Sequence, residues 1–301
     1  MSQDLTKVLI DKIESEFSDL RYNSAKLVTH GWDNNIIILD NLSVFRFPRN
    51  DEYIKKFKTE VKLIKYLQDK VKISIPNYKY LSEDKSFGGY PLILGDVLKP
   101  ELLESQPADI KERIAIDLAD FLTKIHQVPK NVIDQIGIPN GSWNSDHIKK
   151  LYDGIKETLY PILSKDEIIW LEAQFQYYFL LKGEVKMSLI HSDLNSGNIL
   201  FDVKTGRISG ILDFADAEYN DSALDFSPLL DYGEDFMRSV INHYQGFKDE
   251  DLIERAKFRR LVGMVENMLE ITKDKKLPTT YKEQRFQLNK KMELFPVKPK
   301  I

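Results

Sequence analysis

The stretch SLIHSDLNSGNILFDVKTGRISGILDF, residues 188–214, decides how this chain is read. Two apolar runs, Ile199 to Phe201 and Ile208 to Leu212, flank the turn signal Lys204-Thr205-Gly206, which predicts a β-hairpin. Just before the first run stands the polar segment His191-Ser192-Asp193-Leu194-Asn195-Ser196-Gly197-Asn198, and just after the second stands Asp213-Phe214. Asp193, Asn198 and Asp213 are the residue types that phosphoryl transfer requires. One carboxylate accepts or orients a hydroxyl proton, while an amide oxygen and a second carboxylate hold magnesium against phosphates. Magnesium prefers hard oxygen ligands, so Asn and Asp suit it better than nitrogen or sulfur donors.

Around this island the periodicity is helical. It dominates in IKERIAIDLADFLTKIHQV and again over residues 165–181. Towards the N-terminus the pattern differs. An opening helix is expected to bury Val8, Leu9, Ile13 and Phe17, and NNIIILDNLSVFRFP gives two β-rich runs around Asp40-Asn41, a hairpin signal. The segment DEYIKKFKTEVKLIKYLQDK predicts a helix with Phe57, Val61, Ile64, Tyr66 and Leu67 on its apolar positions and Glu60 in its middle. Two further strands are expected at residues 76–80 and 90–94, with Gly88-Gly89 turning the chain between them. Gly95, Asp96 and Pro100 then mark residues 93–100 as a hinge. The expected fold is therefore α+β and bilobal: a small N-terminal antiparallel β-sheet lobe with one helix (residues 1–94) and a larger, mainly helical C-terminal lobe (residues 95–301) carrying the catalytic loop and acceptor site.

Composition bounds the function. The 301 residues are 42% hydrophobic, enough for a substantial core, and no internal repeat or low-complexity segment is present. Forty-seven acidic against 43 basic side chains give a formal net charge of -4, so the overall field does not favour nucleic acid. Absence of cysteine excludes disulfides, thiolate metal sites and a cysteine nucleophile. The first 20 residues lack the apolar core of a signal peptide, and nothing approaches the run of about 18 apolar residues that a membrane span needs. A soluble, cytoplasmic monomer with no nucleic-acid or membrane partner is expected.

The order His-x-Asp, then Asn five residues later, then Asp-Phe, resembles the catalytic loop and magnesium motif of the protein-kinase-like superfamily. After Asp213-Phe214, however, stands Ala215, and no protein-kinase activation segment follows. Instead ILDFADAEYNDSALDF, VFRFPRN, the HGWDN turn and the LADFLTKIH helix resemble the aminoglycoside phosphotransferase family, nearest to its enzymes that modify the 2″ hydroxyl of gentamicin and kanamycin. The likeness spans roughly residues 25–245.

That resemblance implies an antibiotic-resistance kinase with ATP or GTP as phosphate donor and Mg2+ as cofactor. Asp193 would be the catalytic base, Asn198 and Asp213 the metal ligands, and His191 a brace for the loop. Arg46 stands where the superfamily usually has Lys, with Glu60 as its partner; Arg stays charged but is not interchangeable with an ammonium. The loop from Thr29 to Asn34, with Gly31, would cover the phosphates, and the purine would lie against the hinge near Ile93.

For the acceptor, residues 213–235 carry eight acidic side chains and no Lys or Arg, an attractive field for a polycation. Asp216, Glu234 and Asp235 follow the pattern by which the resembled enzymes hold amino groups, and Glu266 would close the site. Asp225 has the alternative reading of tying the catalytic loop. Other acceptors of the same fold (a macrolide, choline, homoserine or a sugar) and a catalytically silent nucleotide-binding member are the competing readings. His126, Trp143 and Trp170 are expected in the core. The Lys-rich tail from Lys273 is expected as solvated helix and frayed end, with Phe295-Pro296 docking onto the lobe.

Overall fold

The computed structural model describes residues 2–28, 33–273 and 279–294. Helix α1 (Ser2–Glu16) buries Leu9 and Ile13, one turn apart on one face. Val8 falls off that stripe and is 51% exposed, contrary to expectation. Phe17, past the helix end, packs against the rings of Phe45, Tyr80 and Phe87.

The first sheet contains β1 (Ala25–Val28), β2 (Asn34–Leu39), β3 (Ser43–Pro48), β4 (Tyr80–Leu81) and β5 (Gly88–Pro91), antiparallel throughout in the order β1-β2-β3-β5-β4. Asp40 and Asn41 join β2 to β3 with φ of 50° and 54°, the left-handed pair that a tight hairpin turn demands. The Gly88-Gly89 pair does not turn the chain. Both lie inside β5, opposite Arg46 and Phe45, because a Cβ on Gly89 would come 2.7 Å from the Phe45 ring. The turn is made earlier, where the Ser82 hydroxyl accepts the N–H groups of Ser86 and Phe87.

Helix α2 (Asp51–Leu67) starts at Asn50, whose side chain accepts the Tyr53 N–H. It buries Phe57, Glu60, Leu63, Ile64 and Leu67, leaving Val61 and Tyr66 half-buried. Beyond Pro91 the chain crosses to β6 (Asp96–Val97), then forms α3 (Pro100–Glu104), α4 (Ala108–His126), α5 (Lys130–Ile136), α6 (Ser145–Thr158) and α7 (Lys165–Phe179). The island of short strands follows as β7 (Met187–Ile190), β8 (Ile199–Asp202), β9 (Arg207–Ile211) and β10 (Glu218–Asp221). Strand β7 pairs with β10, and β8 sits between β6 and β9. Helices α8 (Ala223–Phe226), α9 (Glu234–His243), α10 (Leu252–Thr272) and α11 (Tyr281–Leu294) complete the chain. The architecture is thus an antiparallel-sheet N-terminal lobe joined to a mainly helical region.

One core runs from the inner end of α2 through α4, β7 to β9 and α9, placing the island at its centre. A second lies between α6, α7 and α10 and includes Trp143, Trp170 and Leu288 of α11. The C-terminal helix is therefore not merely solvated: Leu288 is fully buried and Arg285 donates to both oxygens of buried Glu167 at 2.8 and 2.9 Å. Phe295 and Pro296 lie outside the described residues. No helix among the described residues is long and apolar enough to cross a membrane.

Candidate active site

The turn after β9 and helix α2 converge on one cation from the first sheet. Arg46 on β3 donates through Nη1 to Glu60 of α2 and through Nη2 to Asp213, each at 2.7 Å. The Tyr78 hydroxyl lies 3.2 Å from the guanidinium and donates to Glu60 at 3.3 Å. The guanidinium is buried, and a buried charge persists only when paired and hydrogen-bonded, which the planar fork achieves with two carboxylates at once. Burial pushes the Glu60 carboxyl up to about 7, with Arg46 pulling it down and Asp213 pushing it further up. The N–H of Phe214 also donates to Glu60, so α2 is tied directly to the residue after Asp213.

The catalytic loop is held from below by Asp225. This buried carboxylate accepts the backbone N–H groups of His191 and Ser192, both at 2.8 Å, and pairs with His126 Nε2 at 3.0 Å. Ser192 is thereby kept at φ 68°, a left-handed conformation rare for a non-glycine residue. His191 donates through Nε2 to the Leu212 carbonyl, and its ring packs on Phe214. The loop before β8 and the turn after β9 are thus fastened to each other. His126, expected in the core, is buried and serves this brace.

On that frame Asp193 receives Asn195 Nδ2 on one oxygen at 2.6 Å and Asn198 Nδ2 on the other at 2.8 Å. Burial raises its carboxyl pKa, favouring a base that can take a proton and return it. Because the Asn198 amide nitrogen is spent on Asp193, its oxygen is the group left to face a ligand. Asp213, also left-handed at φ 61°, has a side chain 43% exposed despite its bond to Arg46. An amide oxygen and a carboxylate fit magnesium, which takes few protein ligands and fills its shell with phosphate oxygens and water. Among the described residues no group of three or more His, Cys, Asp or Glu could hold a metal.

Of the remaining nucleotide-lobe expectations, Gly31 lies outside the described residues. Ile93 is half-buried against Gly210 of β9, where a Cβ would stand 2.5 Å from its side chain. The next residue, Leu94, is 73% exposed.

The acidic stretch is not the open field its sequence suggests, because cations from other elements meet it. Asp216 bonds Lys56 of α2 at 2.7 Å, Asp221 bonds buried Arg255 at 2.6 Å, and Asp231 pairs with Arg260. Glu234 is held by Arg238 and, at 2.7 Å, by Lys257. Asp225 is the loop brace described above. Glu266 lies between His147 at 3.1 Å and Arg259 at 3.2 Å. Asp235, exposed in the first turn of α9, borders a cavity of about 540 Å³ shared with α3 and α4. Of the carboxylates expected to act together, Asp216, Glu234 and Glu266 are therefore dispersed among separate ion pairs, and Asp235 stands apart at the cavity.

One acidic residue gains importance instead. Glu218 on β10 is half-buried, accepts Asn220 Nδ2 at 2.9 Å and the Ser192 hydroxyl at 3.4 Å, and so stands beside the catalytic loop. Burial raises its pKa, with Arg259 among the opposing influences. Arg259 in turn lies 4.4 Å from the Trp143 ring and bonds Glu266. Nothing in the local sequence distinguishes Glu218 from its acidic neighbours; the contact across the β7–β10 pair does.

Comparison with known proteins follows this geometry. Residues 24–258 match the model of the phosphotransferase enzyme family. The GDP complex of wild-type aminoglycoside 2′-phosphotransferase-IIIa superposes with a TM-score of 0.86 at 26% identity, covering 96% of this chain and 99% of that one. The GDP and kanamycin complex of APH(2″)-IIIa gives 0.81 at 25% identity, over 95% of this chain and 96% of that one. Macrolide 2′-phosphotransferase type I shares the fold, with a TM-score of 0.69 at 20% identity over 94% of this chain and 96% of that one.

Proposed function

The chain belongs to the phosphotransferase enzyme family, and on that premise we propose that it transfers the γ-phosphate of ATP or GTP to a hydroxyl of an aminoglycoside. The observation that carries the transfer reaction is the single assembly of Asp193, Asn198, Asp213 and Arg46, fastened from both sides by Asp225 and Glu60. Similarity to structures described as aminoglycoside phosphotransferases supports the acceptor class.

In this reading we divide the lobes at residue 94, with the nucleotide between them, its purine beside Ile93 and its phosphates beneath the loop that includes Gly31. Asn198 and Asp213 would hold Mg2+, which would supply neutralisation of the phosphate charge. Arg46 binds phosphate with its fork, and Glu60 and Tyr78 keep that fork oriented. Asp193 accepts the proton of the acceptor hydroxyl at a carboxylate oxygen. Its two amide partners hold that carboxylate in one orientation, which is the main contribution a protein makes to phosphoryl transfer. Glu218, with Asp216 and Glu266 further out, supplies negative charge for an ammonium group of the acceptor.

A second reading is favoured by the pairing of the acidic stretch. With Asp221, Asp231 and Glu234 matched by Arg255, Arg260 and Lys257, the face attracts a polycation less than its sequence implies, which suits an acceptor of lower charge such as a macrolide. The test is a panel of aminoglycosides, macrolides, choline, homoserine and sugars, each with ATP and with GTP, scored by mass spectrometry for gain of one phosphoryl group. Phosphorylation of an aminoglycoside is expected; modification of a macrolide or a metabolite alone would move the assignment to the second reading.

A further inference from the structure

Behind the catalytic loop, on the far side of His126 and Asp225, lies a cavity of about 580 Å³ that the phosphoryl-transfer reading leaves unused. Its position follows from the pairing of β7 with β10 and from the chain after α9, which folds across the end of α4. Gly246 permits that crossing: a Cβ there would lie 2.0 Å from the Tyr244 hydroxyl.

Two features define what the cavity accepts. Its rim carries Lys130 and Lys186, and among the described residues no carboxylate lines it, in a chain with more acidic than basic side chains. Each ammonium lies over an aromatic wall, Lys130 at 4.8 Å from the Tyr219 ring and Lys186 at 5.4 Å from the Phe247 ring. Lys130 also pairs with Asp134, but both side chains are about half exposed and such a pair holds a cation weakly.

We propose that this cavity is a second ligand site for a small aromatic anion. Its phosphate or carboxylate meets Lys130 and Lys186, and its ring lies against Tyr219 and Phe247. Cations give the charge complement and the aromatic walls bury the apolar body, the usual composition of a small-molecule pocket. His126 forms part of the lining and reports occupancy, since its ring also bonds Tyr244 and Asp225.

The test needs no catalysis and so stands apart from the assignment of the reaction. Phenyl phosphate, benzoate, inorganic phosphate and benzyl alcohol are titrated into the full chain while the His126 ring resonances are followed by NMR. Phenyl phosphate or benzoate should shift them, binding at least about tenfold more tightly than neutral benzyl alcohol and more tightly than inorganic phosphate. Whichever aromatic anion binds better identifies the headgroup. The double variant Lys130→Glu, Lys186→Glu should weaken that binding at least about tenfold with the fold intact. If no probe moves His126 up to about 10 mM, or if the charge-reversed variant binds as well as the parent, the proposal is wrong.

Discussion

The strand island of residues 188–214 and the acidic stretch that follows it differ in how their function is encoded. In the island, Asp193, Asn198 and Asp213 are brought together by short-range devices: a loop, a hairpin and two left-handed residues within a few positions of the chemistry. In the acidic stretch the carboxylates are close in sequence, yet several take their environment from a remote partner. Lys56 comes from α2, and Arg255, Lys257 and Arg260 come from α10. Adjacency along the chain therefore says which side chains the island gathers, but not how much charge the acidic stretch leaves unpaired, because pairing happens through space.

The largest effect should fall within the island. Asp213→Ala removes an anionic oxygen from the metal site and frees one arm of Arg46, so kcat/KM should drop by at least about a hundredfold, with a higher magnesium requirement. An unchanged magnesium titration would remove Asp213 from that role.

Next comes the brace between the two regions. Burial pushes the Asp225 carboxyl up, but hydrogen bonds and charge from His126 and His191 outweigh it and hold the group below the usual carboxylate range. Asp225→Asn leaves two buried N–H groups and an imidazole without their anion, and should cost about 3 kcal/mol by urea unfolding at pH 7. The folded pKa lies below the unfolded one, so this contribution is present above the unfolded value and is lost as pH falls through the folded one. The stability gap between the two proteins should accordingly narrow below about pH 4. A gap independent of pH would assign the loss to packing instead of charge.

Smaller effects should distinguish the acidic residues from one another. Glu218→Gln should raise acceptor KM about fivefold with little change in kcat, the signature of lost uniform binding. Glu234→Gln should change acceptor KM by less than about twofold, since Arg238 and Lys257 already match that charge. Should the order be reversed, with Glu234 dominant and Glu218 silent, the acceptor would lie along α9 and away from the Ser192 side of the loop.

Much of the fold is legible in the sequence where a local rule applies. The Asp40-Asn41 and Lys204-Thr205-Gly206 turns are local geometry, and the hairpins form there. Glu60 is expected from sequence as the partner of Arg46, and in the structure it is buried against Arg46 and Phe214. Where the sequence misleads, the cause is tertiary. Gly88-Gly89 carries the signature of a turn, but the pair exists to admit Phe45 and the Tyr80 carbonyl at close range. The Lys-rich helix α11 looks solvated because its docking rests on few residues, chiefly Leu288 and the Arg285 bond to Glu167. Glu218 was hidden among equals, and only the strand pairing that sets it beside Ser192 singles it out.

Single-turnover phosphoryl transfer to kanamycin, measured side by side for the parent chain and Asp193→Ala with nucleotide affinity determined on both, tests the account most directly. On the proposed reading Asp193, held by Asn195 and Asn198, serves the acceptor hydroxyl and bonds neither Arg46 nor Asp213, so turnover should fall between about 10²-fold and 10⁴-fold while nucleotide affinity stays nearly constant. A variant keeping more than about a tenth of the parent rate, or losing nucleotide affinity in step with turnover, would contradict the assignment of Asp193 as the base on which the whole reading of the site depends.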